Sequence, residues 1–203
     1  MKAFPVLIIL AVFLAANFYV FYRLWHMMPA NTILRVILVL FAVAAVSSIF
    51  VYFIVGQALS PILSAIIYKI GTSWIFIFLY LFMIMLVLDI VRITHLLPME
   101  KFMYGSWVGV GSVVGLVAII MSFGYIKYIN KERVELSIEV PKQTPYVDDL
   151  KIVAISDLHL GYGIQKKEFQ EWIELINKEN PDVVLIAGDA IDNSLKPLHE
   201  QNM

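Results

Sequence analysis

The chain has 203 residues, 61% of them hydrophobic and 15% charged, with a formal net charge of -1 and no cysteine. Soluble domains carry more charge and less apolar surface, so this composition excludes an ordinary water-soluble globule and marks a membrane protein. A charge near zero gives no basis for nucleic-acid binding, and the lack of cysteine excludes disulfides, thiolate metal sites and cysteine nucleophiles.

In chain order, residues 4–22, 33–55, 62–88 and 107–126 are apolar runs. Each supplies the roughly 20 residues needed to cross a ~30 Å hydrocarbon core at about 1.5 Å per residue. Polar residues, Gly or Pro interrupt the runs at His26 to Asn31, at Gly56 and Gln57 with Pro61, and from Arg92 to Gly105. The pattern predicts a transmembrane region over residues 1–127 with four helices, followed by a polar domain over 128–203. Lys2 before an apolar run could open a signal peptide, but no small-residue cleavage site follows and three more spans do. Four spans place the amino terminus and the tail on one side. Lys2, Lys69, Lys127, Lys131 and Arg133 on that side nearly balance Arg23, Arg35, Arg92 and Lys101 on the other, with a small lean toward a cytoplasmic tail.

Several features in the membrane half invite a functional reading, and the plainer reading suits each better. Asp89 and Arg92 lie three apart on one helix, where they can neutralise each other near its end. His26 and His95 sit beside apolar runs with no partner at metal-ligand spacing. Gly105, Gly109, Gly111 and Gly115 give small-xxx-small spacings that favour close helix packing. The stretch GVGSVVG has one residue too many for a dinucleotide fingerprint and lies inside a span. Trp25, Tyr52, Tyr68, Trp74, Tyr104 and Trp107 fall near the expected helix ends and read as interfacial anchors.

After Tyr128 the pattern becomes that of a soluble domain. Val134, Leu136, Ile138 and Val140 alternate with polar residues, predicting a half-buried strand that Pro141 ends. Pro145 and the Asp148-Asp149 pair mark a turn. Leu150 to Ile155 form a run suited to a strand buried on both faces. Phe169, Trp172, Ile173 and Ile176 recur at helical spacing up to Asn180-Pro181, and Val183 to Ala187 make a second buried strand. Strand, helix and strand form a βαβ unit with parallel pairing and a right-handed connection.

On that unit Asp157 and His159 follow the first strand, and Gly188 and Asp189 follow the second, so both groups emerge at the edge where open α/β folds bind ligands. Adjacent parallel strands lie about 4.8 Å apart, close enough for groups past both ends to converge on one ion. Asp157 and His159 alternate, so both can face one side while Leu158 and Leu160 turn toward the core. Gly161, Gly163 and Gly188 permit sharp backbone paths. Two carboxylates and an imidazole suit a divalent ion of the Mn, Fe or Zn class, and a carboxylate can bridge two such ions about 4 Å apart for phosphoryl hydrolysis. Asp and Gly after a strand also serve as turn or cap residues; the two clusters together, joined by one crossover helix, favour the metal reading.

Through ISDLHLG and VVLIAGDAID the chain, over roughly residues 133 to 195, resembles the calcineurin-like metallophosphoesterases, specifically their bacterial membrane-anchored members. The resemblance implies that Asp157 and His159 hold a first metal, that Asp189 bridges two, and that Asp192, with Gly188, supports the site. The family's G-N-H-[DE] and G-H-x-H blocks are not matched, and Asn193 and His199 lack the context to replace them. The expectation is therefore the amino-terminal part of a membrane-anchored two-metal phosphoesterase, with this 203-residue chain inactive alone. Its partners would be membrane lipid and a phosphoester, with a lipid-linked or envelope-derived substrate compatible with the anchor. Its place would be the bacterial cytoplasmic membrane. The alternative is a four-span membrane protein whose tail is a non-catalytic binding or scaffold module. A transporter built on Asp89 and Arg92 ranks below both, since one ion pair at a helix end defines no pathway.

Overall fold

A computed structural model describes residues 3–95, 97–141, 149–192 and 194–203. The elements run α1 (Ala3–Met27), α2 (Thr32–Val55), a short 3-10 turn (Gly56–Ala58), α3 (Pro61–Ile93), α4 (Glu100–Met103) and α5 (Trp107–Ile129). There follow β1 (Ile152–Ser156), α6 (Lys166–Lys178), β2 (Val183–Ala187) and α7 (Lys196–Gln201). Four helices are long and apolar enough to cross a membrane: Phe4–Met27, Thr32–Val55, Pro61–Ile93 and Trp107–Ile129. Three of them continue past residues 22, 88 and 126, where the apolar runs end. The added turns carry Arg23, Asp89, Arg92 and Lys127; helical hydrogen bonding is indifferent to side-chain polarity, so a hydropathy boundary stops short of the helix end. By internal packing the chain divides into two compact units, Met1–Val51 with Ile70–Glu132, and Tyr52–Lys69 with Arg133–Met203.

The first unit has an apolar interior that includes Val20, Met27, Trp74, Met85, Val113 and Val117. Asn17, Trp74 and Asp89 are paired inside it. The indole N–H of Trp74 donates to Asn17 Oδ1 at 3.0 Å, and Asn17 Nδ2 donates to the Phe13 carbonyl at 2.9 Å. Trp74 is 3% exposed, so it is an interior residue and not the interfacial anchor its position suggested. Asp89 pairs chiefly with Arg23, which reaches both carboxylate oxygens from α1, and Tyr19 Oη donates to Asp89 Oδ2 at 2.5 Å. Arg92, the partner expected from spacing, stands 3.6 Å away and is secondary. The glycine stripe divides likewise. A Cβ on Gly109 would collide with the Phe102 carbonyl, whereas Gly111 and Gly115 face open space and make no close helix contact. The tight helix crossing lies at Gly71, whose Cβ would come 2.9 Å from the Ile49 backbone nitrogen.

In the second unit the expected strand over residues 134–140 does not form: the segment is irregular, with Val134, Leu136, Ile138 and Val140 70–88% exposed. Alternation creates a face but not a ladder, and no strand among the described residues pairs with it. The turn expected at Pro145 and Asp148 lies outside the described residues. β1 and β2 pair in parallel, register Ile152↔Val183 through Ser156↔Ala187. Both were expected to be buried on two faces, yet Val183 to Ile186 are 39–56% exposed and in β1 only Val153 and Ile155 are half-buried, because the sheet among the described residues has two strands. α6 is strongly amphipathic and none of its residues is buried. Asn180, with φ 47°, ends it where the sequence indicated. Both α4 and α7 have no counterpart in the expected elements. α7 supplies Gln201 Oε1 as acceptor for the Lys166 amide at the first turn of α6, 3.0 Å away.

Candidate metal centre

The register of β1 on β2 brings Ser156 opposite Ala187, so Asp157 and Gly188 leave the sheet side by side. The two exits remain zipped: the amides of Asp157, His159 and Leu160 donate to the carbonyls of Ala187, Asp189 and Ala190 at 3.0, 3.0 and 3.1 Å, and the Asp192 amide donates back to the Leu160 carbonyl at 3.1 Å. This lattice fixes where each functional side chain starts.

Within it Asp157 and His159 both adopt the left-handed region, with φ 50° and 46°. For residues other than glycine that costs on the order of 1 kcal/mol each. The intervening Leu158 and the following Leu160 are 5% and 6% exposed, so their burial offsets the strain, as the alternating pattern anticipated. Gly188 has φ 80°, and a Cβ there would collide with Asp157 Oδ1. Glycine is thus required twice over, for its backbone and for the space the carboxylate occupies. The Asp189 amide approaches that same oxygen at 3.4 Å.

Asp157, His159 and Asp189 therefore share one edge, but their side chains are not gathered: among the described residues no three His, Asp or Glu side chains are placed to hold a metal. His159 instead points Nδ1 toward Asp192 Oδ1, 3.9 Å away. Asp192 Oδ2 accepts a 2.6 Å hydrogen bond from Tyr68 Oη. Sequence reasoning read Tyr68 as an interfacial anchor and missed this contact, since a residue 124 positions upstream carries no signal of it. Gly161 leaves room for Asp192, whose Cβ would lie 3.2 Å from an added methyl, and Gly163 does the same for the Tyr68 ring at 3.3 Å. Tyr162, 4% exposed, donates to Glu200 Oε2 at 3.1 Å, and burial first, then that bond, push its hydroxyl pKa above the usual phenol value. His199 sits on α7, and Asn193 lies outside the described residues.

The donors fit a divalent cation in kind. Two carboxylates and an imidazole stand at a solvent-facing edge, and Gly188 is the one residue that leaves the Asp157 carboxylate its place.

Comparison with known proteins bears on this segment. Residues 150–202 match the family model described as calcineurin-like phosphoesterase. A zebrafish (Danio rerio) transmembrane protein with metallophosphoesterase domain is 30% identical over 84 residues, 41% of this chain and 19% of the relative. An uncharacterized metallophosphoesterase of Campylobacter jejuni is 42% identical over 50 residues, 25% of this chain and 13% of the relative. One from Bacillus subtilis is 32% identical over 82 residues, 39% of this chain and 29% of the relative. The chain thus spans less than a third of the length of each of these relatives. No solved structure matches it.

Proposed function

We propose, from the match of residues 150–202 to the calcineurin-like phosphoesterase model and from four helices fit to cross a membrane, that the whole protein is a membrane-anchored, metal-dependent phosphoester hydrolase. The observation that supports this most is the pair of in-register strand ends that deliver Asp157-x-His159 and Gly188-Asp189 to one edge, with Gly188 shaped around the Asp157 carboxylate. Asp157, His159 and Asp189 would hold the metal, and any further ligands would come from outside these blocks. Divalent ions so held supply Lewis acidity toward phosphoryl oxygens and lower the pKa of bound water.

The chain's own residues account for the rest. Gly188 keeps the Asp157 carboxylate at the mouth of the β1–β2 edge. Asp192 Oδ1 faces His159 Nδ1 at 3.9 Å, and Tyr68 in turn holds Asp192 through a 2.6 Å hydrogen bond. The substrate is a phosphoester. Four apolar helices favour one presented at or near a bilayer, lipid-linked or from the envelope.

A second reading, a non-catalytic binding or scaffold tail, draws on the ungathered side chains. Equilibrium Mn binding and nitrophenyl phosphodiester hydrolysis by the whole protein, before and after Asp189→Asn, separate the two. The substitution keeps shape and removes charge, so metal occupancy and turnover should each fall at least 100-fold while membrane insertion is unchanged. Turnover within threefold of the parent would reduce Asp189 to a turn residue, and metal binding without turnover would select the scaffold reading.

A further inference from the structure

Charged side chains at one end of the first unit fall into two classes. Arg23 and Arg92 both face Asp89. Arg35, on the first turn of α2, has no such partner. Its guanidinium lies over the Trp25 ring, 4.9 Å from the centroid, and makes no hydrogen bond or ion pair with any described residue. Its Nε is buried without an acceptor. A sheltered guanidinium donor without an acceptor is costly, so some acceptor is to be expected at its outer edge.

Its depth identifies the environment. α2 has 24 residues. At about 1.5 Å per residue it is about 36 Å long against a ~30 Å hydrocarbon core, so a residue one turn from its start sits at the level of lipid phosphates. Two apolar grooves run inward from this point between α1 and α2, and they share Trp25 and Val39. The one at Arg35 has a volume of about 290 Å³; the other, about 430 Å³, extends past His26 and Tyr22 to Phe18. His26 Nδ1 is engaged by the Tyr22 carbonyl at 2.8 Å. The charges at this end are Arg23, Arg35, Arg92 and Lys101 against Asp89 and Glu100, a cationic excess.

We propose that this groove is a binding site for an anionic glycerophospholipid, whose phosphodiester pairs with Arg35 and whose acyl chain lies between α1 and α2 along Trp25, Val39 and Phe18. The recognition combines three elements: a fork-shaped donor matched to phosphate oxygens, a Trp ring that holds the donor flat, and an apolar channel leading away from it. Lipid supplies both the charge and the tail, whereas free phosphate supplies the charge alone. The proposal does not depend on the phosphoesterase reading.

The test is native mass spectrometry of the full chain in detergent, titrated with phosphatidylglycerol, phosphatidylcholine or inorganic phosphate. Phosphatidylglycerol should be retained at least tenfold more tightly than phosphatidylcholine. Arg35→Gln should lower that affinity at least tenfold and Lys101→Gln by less than twofold. Val39→Trp, which fills the groove while leaving Arg35 in place, should also lower it and so guards against an Arg35 variant that folds poorly. Equal retention of both lipids, full retention in Arg35→Gln or in Val39→Trp, or occupancy by inorganic phosphate as tight as by lipid would each overturn the proposal.

Discussion

The spanning helices and the β1–α6–β2 segment are both rich in exposed apolar side chains, but for opposite reasons. On α1 and α2, residues such as Phe18, Leu40 and Ile54 are 65–80% exposed, yet they lie past the first turn, where backbone amides are bonded within the helix. Such a helix is complete in lipid, where exposed apolar surface is no cost and internal hydrogen bonding is obligatory. On β2, Leu185 and Ile186 are 50% and 56% exposed, and each strand has one neighbour. A strand in that position presents unpaired edge groups and uncovered apolar faces to water. Exposure of the same residue types is therefore a finished state in one region and an unfinished one in the other.

Hydrogen exchange sharpens that contrast most. In the 203-residue chain placed in nanodiscs, amides in the middle of α1, α2, α3 and α5 should exchange at least 1000-fold more slowly than those of Ile152 to Ser156 and Val183 to Ala187. Equal protection would mean that the two-strand unit is already a stable body. The same preparation given excess Mn should hydrolyse no nitrophenyl phosphodiester at a measurable rate, and sustained turnover abolished by Asp157→Ala would overturn that expectation.

The next effect tests whether the helical unit depends on its polar ties as well as on lipid. Arg23 and Asp89 side chains are 13% and 12% exposed. Removing one partner of a buried pair leaves the other charge uncompensated, at a cost of about 3–5 kcal/mol. Arg92 at 3.6 Å offsets part of that. Arg23→Ala should therefore lower stability by about 2–3 kcal/mol, read as lost thermal resistance in detergent. Arg92→Ala should cost less than half as much, and equal losses would refute the ranking of Asp89's partners.

The same contrast explains what could be read from sequence. The four helices, β1, α6, β2 and the Asp157, His159, Asp189 placement follow from local periodicity and strand ends. What was not legible depends on partners distant in the chain. Alternation at Val134 to Val140 looks like a strand but has nothing to pair with. Arg23 could not be matched to Asp89, 66 positions away, from helical spacing. Trp74 near a helix start looked interfacial until Asn17 took its N–H. Of the glycines in α5, only Gly109 meets a neighbour, and no spacing rule distinguishes it from Gly111.

A smaller effect concerns Tyr68, the residue that carries the site's most remote support. Tyr68→Phe removes one hydroxyl from Asp192 and leaves the ring against Gly163. Loss of such an outer partner typically weakens metal affinity by about 10–100-fold. Because His159 Nδ1 and Asp192 are 3.9 Å apart, the coupling is loose and the lower figure is expected. In the whole protein, Mn affinity should fall about tenfold, with turnover at saturating Mn within threefold of the parent. No change in Mn affinity would show that Tyr68 only packs.

The smallest effect lies where β1 meets the end of α6. Lys151 Nζ contacts Glu179 Oε2 at 3.0 Å and Arg133 Nε contacts Glu179 Oε1 at 3.3 Å; the Lys151 bond first, then the Arg133 charge, lower the Glu179 pKa below its usual 4.5. A depressed carboxylate pKa contributes stability that is fully present above about pH 4.5 and is lost as pH falls through the lower folded value. The carboxylate is solvent-exposed, so the contribution is small and screened by salt. Glu179→Gln should therefore speed exchange of the Asp182 amide, which bonds the Lys151 carbonyl at 2.8 Å, less than threefold at pH 6.5. The difference should diminish as pH falls from 6.5 toward 3, as protonation of Glu179 in the parent advances, and it should shrink in 1 M salt. A difference that persisted unchanged at pH 3 would assign the effect to side-chain shape and remove the ion pair from the account of how β1 is held.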